Sequence, residues 1–288
     1  MSAAPALARF RRARLGELAA RTYPSVVDVT RNGEWLAFLF LIEERFTNQD
    51  NTPDRHEIVS TNDELLRMLP LQMGPTTPPP SSGLAAALAA WWSDVGPAMS
   101  PAWRIRFLGH AEKCLRAYEQ DLATERYGIP PPLRTYVEFR RQSGAVETAL
   151  DLIEFSERAE LPQQVAHCPQ VHALRVATSD IVCWTHDLLW VAKERARGRM
   201  NNLVAVLWQA WGGSWQDSAE RAVGMIAARY RDFAIAEDSL RRRLDATEWE
   251  YVERSVHGFR NWISGSHEWH LRSPRYIRQK FYFDRVHR

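Results

Sequence analysis

The sequence predicts a single all-α domain of roughly ten helices, because apolar residues recur at three- and four-residue spacing through most of the chain. We find no set of alternating strands separated by tight turns. The 288 residues are 45% hydrophobic and 25% charged, which is typical of a globular protein with a sizeable core. The clearest helical segments are AVETALDLIEFSERAEL, SDIVCWTHDLLWVAKERARG, NNLVAVLWQAW and SWQDSAERAVGMIAARYRDFAIAEDSLRRRL.

A basic N-terminus and two proline-rich breaks divide this helical pattern. Residues 1–14 are rich in arginine and contain no acid, and we interpret them as a basic extension that precedes a domain over residues 15–288. Consecutive prolines in GPTTPPPSSG, at 74–83, forbid helix and predict a loop between two helices. A second break at 129–132 places the start of the next helix near Leu133.

Charge, apolar-run length and cysteine spacing exclude several classes of protein. The 37 Lys and Arg residues balance 35 Asp and Glu residues, whereas a nucleic-acid-binding protein usually has a strong basic excess. The longest apolar runs, 35–42 and 84–92, are shorter than the ~20 residues that cross a bilayer. The three cysteines form no CxxC pair. We therefore expect a cytoplasmic protein without a membrane span and without a nucleic-acid partner.

An acidic pair ends the first strongly apolar helix. In EWLAFLFLIEERFTNQD, residues 34–50, an unbroken apolar run leads directly into Glu43 and Glu44. A helix that is apolar on all sides is buried, so we expect its acidic end at the rim of an apolar region. A solvated helix end is one interpretation. The other is a site for a hard cation such as Mg²⁺, which takes oxygen ligands from carboxylates and phosphates.

A helix break is predicted within YVEFRRQSGAVETALDLIEF, residues 136–155, where Arg140, Ser143 and Gly144 interrupt a helical pattern. A glycine inside a helix costs about 1 kcal/mol relative to alanine. A break here would free backbone carbonyls beside an arginine. A plain kink with surface arginines explains the same pattern.

A shared helix face is predicted within HDLLWVAKERARGRMNNLV, which begins at His186. His186, Trp190 and Glu194 lie four residues apart and occupy one face, with Lys193 on its edge. A core histidine and tryptophan followed by a solvated Lys–Glu end is the simpler interpretation of this segment taken alone.

These stretches, together with WISGSHEWHLRSPRY near the C-terminus, resemble the bacterial class I terpene synthase family. The resemblance extends from about Leu15 to Tyr276 and depends on the order and spacing of four short motifs. EERFT occupies the place of the family's DDxxD motif, with Glu43 and Glu44 for the first two aspartates and Thr47 for the third.

Two further motifs of this family match the middle of the chain. FRRQSGA resembles the diphosphate-sensor element, with Arg140 as sensor, Ser143 as linker and Gly144 as the helix-break effector. HDLLWVAKE occupies the place of the second metal motif, NDxxSxxKE, and begins at His186, 46 residues after the sensor. We reject the alternative register SDIVCWTHD at 179–187, because it breaks this spacing and the gapless continuation KERARGRMNNLV.

The resemblance implies a fold, a mechanism and a set of site residues. The implied fold is a single-domain helical bundle around a deep apolar cavity, in which Mg²⁺ between two facing helices binds an isoprenoid diphosphate whose cation then cyclises. The implied catalytic residues are Arg140, Ser143 and Gly144, the diphosphate-binding residues are Arg140, Lys193, Arg275 and Tyr276, and the metal ligands are Glu43, Glu44 and Glu194, with His186 as a further candidate. The candidates for the cavity wall are Trp35, Phe38, Phe40, Trp190 and Trp269.

The second metal motif departs from the family's pattern. Indole offers only an N–H donor and cannot ligate a cation, so Trp190 is no substitute for the motif's serine. Imidazole prefers zinc and other transition metals to Mg²⁺, which concerns His186. We expect Mg²⁺ to bind mainly through Glu43 and Glu44. The main hypothesis is cyclisation of an isoprenoid diphosphate of sesqui- or diterpene size. The alternatives are a cyclase with few or no metals that takes a pre-cyclised or non-diphosphate substrate, and a catalytically silent binding protein; a homodimer is left open.

Overall fold

The computed structural model describes residues 3–47, 54–74, 79–125 and 129–275, and within these ranges the secondary structure is helical, without a strand. The all-α expectation is therefore confirmed. None of the described helices is long and apolar enough to cross a membrane. The helices are α1 (Ala3–Ala13), α2 (Leu15–Thr22), α3 (Thr30–Thr47), α4 (Arg55–Arg67), α5 (Gly83–Val95), α6 (Pro101–Glu125), α7 (Leu133–Ser143), α8 (Val146–Glu157), α9 (Gln163–Ala166), α10 (Pro169–Ala196), α11 (Leu203–Trp211), α12 (Trp215–Arg243) and α13 (Ala246–Arg272).

Helix boundaries follow local sequence signals. The predicted break at 129–132 is confirmed, because α7 begins at Leu133. Ser82 caps α5 by accepting a hydrogen bond from the backbone N–H of Ala85, at the end of the predicted 74–83 loop. Ser214 and Asp245 begin α12 and α13 with reciprocal capping boxes.

The N-terminal helix packs on the rest of the molecule. Phe10 makes an edge-to-face contact with Phe40 of α3, with ring centroids 5.9 Å apart. The carbonyl of the buried Ala13 accepts a hydrogen bond of 2.9 Å from the indole N–H of Trp269 on α13. Residues 3–13, part of the segment that we set apart as an extension, thus contact both α3 and α13.

An aromatic cluster fills the core between α3, α5 and α6. Neighbouring rings in it have centroid separations of 4.9–6.4 Å, mostly in stacked arrangements. Each indole N–H in this group donates to an oxygen, so the large apolar rings are buried without an unpaired donor. The members are Trp35, Phe38, Trp91, Trp92, Trp103 and Phe107.

A buried ion network ties α6, α8 and α10 together. The fully buried Asp151 accepts hydrogen bonds from Arg175 at 2.8 Å and Arg106 at 3.4 Å, and lies 2.6 Å from the ring of His110. Burial alone would raise the pKa of Asp151, but the neighbouring His110 and Arg175 lower it to about 2. This network lies behind α8, and the opposite side of α8 contributes to the cavity described next.

Candidate active site

A cavity of about 240 Å³ opens between α2, α3, α10 and α13 and the junction of α7 with α8. Its apolar lining includes Leu36, Leu39, Phe40, Val182, Trp262 and Trp269. Its polar lining includes Glu43, Arg140, His186, Asp187, Glu194 and Arg275. An apolar chamber with a few convergent charged groups has the composition of a small-molecule site.

The predicted helix break is confirmed at the junction of α7 and α8. Ser143 is the last residue of α7, and Ala145 has a positive φ of 56° that redirects the chain into α8. A Cβ on Gly144 would overlap the Sγ of Cys183 on α10 and lie 3.0 Å from the carbonyl oxygen of Arg140. Glycine is therefore required for the close packing of the break against α10.

Arg140 reaches the cavity from the last turn of α7. Its Nε donates to Asp187 Oδ1 at 3.0 Å, and its Nη2 lies 3.2 Å from His186 Nδ1. Its side chain is only 14% exposed. These two contacts orient the guanidinium, which lies on the cavity lining.

Asp187 is a site residue to which the sequence analysis assigned no role. Its buried carboxylate accepts hydrogen bonds from the Tyr136 hydroxyl and, at 3.1 Å, from the Leu203 backbone N–H. Burial and the nearby Glu194 carboxylate raise its pKa. Asp187 aligns with the aspartate of NDxxSxxKE, so a signal for it was present in the motif.

Asn202 is a second residue that the sequence analysis missed. Its Nδ2 donates to Glu194 Oε2 at 2.7 Å and to the carbonyl of Asp187 at 2.8 Å, while its Oδ1 caps α11 through the N–H of Val204. One buried amide therefore joins a candidate metal ligand to the partner of Arg140. An asparagine directly before the apolar segment LVAVLWQAW is the sequence signal for the cap.

The acidic pair at the end of α3 faces Arg275, just beyond the end of α13. One guanidinium nitrogen lies 3.4 Å from Glu43 Oε1, and another lies 3.4 Å from Glu44 Oε1. The guanidinium carbon also lies 4.6 Å from the ring centroid of Phe40. The structure thus brings together three of the predicted charged residues at one end of the cavity.

Lys193 and Arg275 both contact the ring of Trp190. Lys193 Nζ lies 3.8 Å from the ring centroid, and the guanidinium carbon of Arg275 lies 5.3 Å from it. Both distances are within cation–π range. Burial, together with the charges of Arg197 and Arg275, lowers the pKa of Lys193 to about 8, so the ammonium is mostly charged at neutral pH.

Two histidines lie side by side at the cavity. The ring centroids of His186 and His270 are 5.5 Å apart. Burial and nearby Arg140 lower the pKa of His186 well below its usual value, and burial lowers that of His270 to about 3. Both imidazoles are therefore neutral at physiological pH.

The structure corrects part of the predicted cavity wall. Phe40 and Trp269 line the cavity, but Trp35 and Phe38 pack into the aromatic cluster, and Trp190 lies against charged side chains. Helical periodicity explains the error, because positions 36, 40 and 43 of α3 share the cavity face whereas 35 and 38 point elsewhere. Tyr276 and the side chain of Thr47 lie outside the described residues.

The donor groups fit a divalent cation on one side of the cavity only. Glu43 and Glu44 offer adjacent carboxylates of the kind that Mg²⁺ binds, with substrate oxygens completing the coordination. The second predicted set fits poorly, since Trp190 has no lone pair to donate and the His186 Nδ1 faces Arg140. Within the described ranges, no three His, Cys, Asp or Glu side chains converge as a ready-made metal site.

Comparisons with known proteins identify the family of this chain. The family model for terpene synthase family 2, C-terminal metal binding, matches residues 34–232. A 7-epi-alpha-eudesmol synthase of Streptomyces viridochromogenes is 29% identical over 275 residues, covering 92% of this chain and 80% of the relative. A (+)-T-muurolol synthase of Roseiflexus castenholzii is 28% identical over 270 residues, with coverages of 92% and 81%.

Solved structures show the same fold. The crystal structure of an α-eudesmol synthase superposes with a TM-score of 0.80 at 27% identity, covering 92% of this chain and 87% of that one. The germacradien-4-ol synthase of Streptomyces citricolor gives a TM-score of 0.80 at 22% identity, with coverages of 91% and 85%, and supports the fold alone. Because the family model spans more than half of the sequence, the chain belongs to terpene synthase family 2 and has the class I terpene synthase fold.

Proposed function

We propose that this cyclase acts on farnesyl diphosphate, and that the residues gathered at the charged end of the cavity bind the diphosphate group. One observation carries the proposal: the cations Arg140 and Arg275 and the carboxylate of Glu43 lie on the wall of a chamber whose remaining surface is largely apolar. The curated relatives from Streptomyces viridochromogenes and Roseiflexus castenholzii are both described as cyclising (2E,6E)-farnesyl diphosphate.

The reaction begins with heterolysis of the carbon–oxygen bond of the substrate, whose electron pair leaves with pyrophosphate. Arg140, Lys193 and Arg275 are charged groups held in place before the substrate arrives, so they stabilise the departing negative charge without reorganising. Mg²⁺ held by Glu43 and Glu44 would supply additional neutralisation of the same charge. The positioning of Arg140 by Asp187 and His186 fixes where this charge develops.

The apolar part of the cavity then governs the allylic cation. Phe40, Trp262 and Trp269 present ring surfaces that stabilise positive charge, and the neighbouring leucines exclude water that would quench the cation. Loss of a proton, or capture by a water molecule, ends the sequence and gives a hydrocarbon or an alcohol. The shape of the cavity selects the conformation of the substrate's prenyl chain and hence the product.

Incubation with geranyl, farnesyl and geranylgeranyl diphosphates tests the proposal, with products identified by gas chromatography and mass spectrometry in the presence of Mg²⁺. We expect a cyclic sesquiterpene from farnesyl diphosphate as the main product. Preferential turnover of either other substrate would contradict the chain length. Tight binding of all three diphosphates without turnover would instead support the silent binding protein.

A further inference from the structure

Trp190 stands where the family resemblance placed a metal-ligating hydroxyl, and the structure gives it different partners. Its side chain is buried, and its ring face carries the Lys193 ammonium at 3.8 Å and the Arg275 guanidinium at 5.3 Å. The face of an indole ring is the most favourable of the aromatic surfaces for a cation. The Trp190 side chain thus contacts two positively charged groups, Lys193 on α10 and Arg275 beyond the end of α13.

Arg275 is fixed from a second direction as well. It lies over the ring of Phe40 at 4.6 Å, so that its guanidinium contacts aromatic rings of both α3 and α10. The same guanidinium lies 3.4 Å from Glu43 and from Glu44. It is therefore placed between the acidic pair and Trp190, at the charged end of the cavity.

The remaining members of the second motif are engaged with protein groups. His186 Nδ1 faces the guanidinium of Arg140, and Glu194 accepts a short hydrogen bond from Asn202. With Trp190 between them, a divalent cation would find a single carboxylate instead of three ligands. At the place of the second motif, protein side chains therefore supply the positive charge that metal ions would otherwise supply.

We propose that Trp190 is a positioning residue that holds Lys193 and Arg275 in place to bind the substrate diphosphate where the family's second motif would bind a metal. This inference rests on the proposed function, because it concerns the same diphosphate site. It has a direct consequence: the site binds a diphosphate group without any divalent cation. A divalent cation that takes part in the reaction would bind only on the side of Glu43 and Glu44.

Calorimetric titration with inorganic pyrophosphate in EDTA tests this consequence. The parent protein is expected to bind pyrophosphate under these conditions. Trp190→Phe keeps a ring face and should bind within about threefold of the parent, whereas Trp190→Leu removes the face and should weaken binding roughly tenfold. Trp215→Leu is the matched control, because it removes a ring that makes the same kind of cation–π contact outside the cavity lining. The guanidinium carbon of Arg195 lies 4.6 Å from the centroid of this ring. The pyrophosphate affinity of this variant should not change.

A second variant guards against loss of structure in Trp190→Leu. Lys193→Gln leaves the indole in place and removes one cation, so it should also weaken metal-free binding severalfold while the melting temperature stays near that of the parent. Absence of pyrophosphate binding by the parent in EDTA overturns the proposal. Equal affinities for the parent and for both Trp190→Leu and Lys193→Gln overturn it as well.

The outcome is separable from that of the proposed function. Metal-free pyrophosphate binding that depends on Trp190, without any product from farnesyl diphosphate, supports the positioning role and contradicts the proposed reaction. Product formation without metal-free pyrophosphate binding supports the proposed reaction and contradicts the positioning role. A larger gain in pyrophosphate affinity on addition of Mg²⁺ for Trp190→Ser than for the parent would show that the indole merely blocks a metal site, which contradicts the positioning role.

Discussion

Adjacent arginines at the end of α7 have different partners and, in our account, different functions. Arg140 lines the cavity and donates to Asp187, while Arg141 makes two hydrogen bonds of 2.8 and 2.7 Å to the buried Asp180, away from the cavity lining. A guanidinium forms two parallel bonds to an anion, which an ammonium cannot reproduce. The pair therefore allows binding geometry to be separated from charge.

We predict that Arg140→Lys lowers farnesyl diphosphate turnover by one to two orders of magnitude, which corresponds to roughly 1.4–3 kcal/mol of transition-state stabilisation, while the melting temperature changes little. Steady-state kinetics and thermal unfolding of the same preparation measure both effects. Arg141→Lys is the matched control, because it makes the same change beside the buried Asp180 and should retain turnover. Equal losses of turnover and stability in Arg140→Lys would mean that Arg140 is only structural.

Single residues mark the limit of what the sequence alone could establish. The motif order predicted Arg140, Glu43 and Arg275, and the structure brings them to one cavity. The role of Asn202 depends on a loop that returns to α10, and such a tertiary contact leaves no periodic signal in the sequence. The error at Trp35 has another cause, since neighbouring positions of a buried helix can all be apolar and still face different spaces.

At the scale of single elements, the break between α7 and α8 depends on close contact with α10. A side chain on Gly144 would collide with Cys183, and overpacking of this kind costs about 1–3 kcal/mol. We predict that Gly144→Ala destabilises the protein by this amount in urea denaturation. Cys183→Ala in the same background should restore part of the loss, because it removes the overlapping sulfur. Independent, additive effects of the two changes would contradict the contact.

The start of α11 combines a helix cap with contacts to the site. Serine caps a helix nearly as well as asparagine but is too short to donate to both Glu194 and the Asp187 carbonyl. We predict that Asn202→Ser keeps most of the stability and weakens pyrophosphate binding about five- to tenfold, measured by calorimetry, because Asn202 holds the backbone of Asp187, the partner of Arg140. Ser214→Ala removes the cap of α12 and is the control, with about 1 kcal/mol of lost stability and unchanged binding.

At the scale of the whole molecule, the ion network around Asp151 makes the stability of the protein depend on pH. The pKa of Asp151 falls from 3.8 to about 2 on folding, so its contribution is fully present above about pH 4 and is lost as the pH falls through 2. A shift of this size corresponds to about 2 kcal/mol. We predict that the free energy of unfolding of the parent falls by this amount between pH 4 and pH 2, measured by denaturant titration. Asp151→Asn, though less stable at neutral pH, should lack this acid-dependent loss. An identical acid profile for both proteins would contradict the assignment.

The overall fold was largely predictable because its determinants are local and repeated. Three- and four-residue periodicity, prolines at 129–132 and caps such as Ser214 each specify helices without reference to distant residues. The packing of α1 on α3 and α13 was not predicted, since its arginine-rich sequence conceals the few apolar residues, Phe10 among them, that make the contact.

The amount of pyrophosphate released from farnesyl diphosphate per molecule of terpene formed tests the proposed reaction most directly. Heterolysis at the charged end of one cavity predicts equal amounts of the two products in the presence of Mg²⁺, measured by a pyrophosphate assay and by mass spectrometry on the same sample. Glu43→Gln combined with Glu44→Gln should lower both rates together. No pyrophosphate release by the folded parent, or terpene formation without it, would contradict the account.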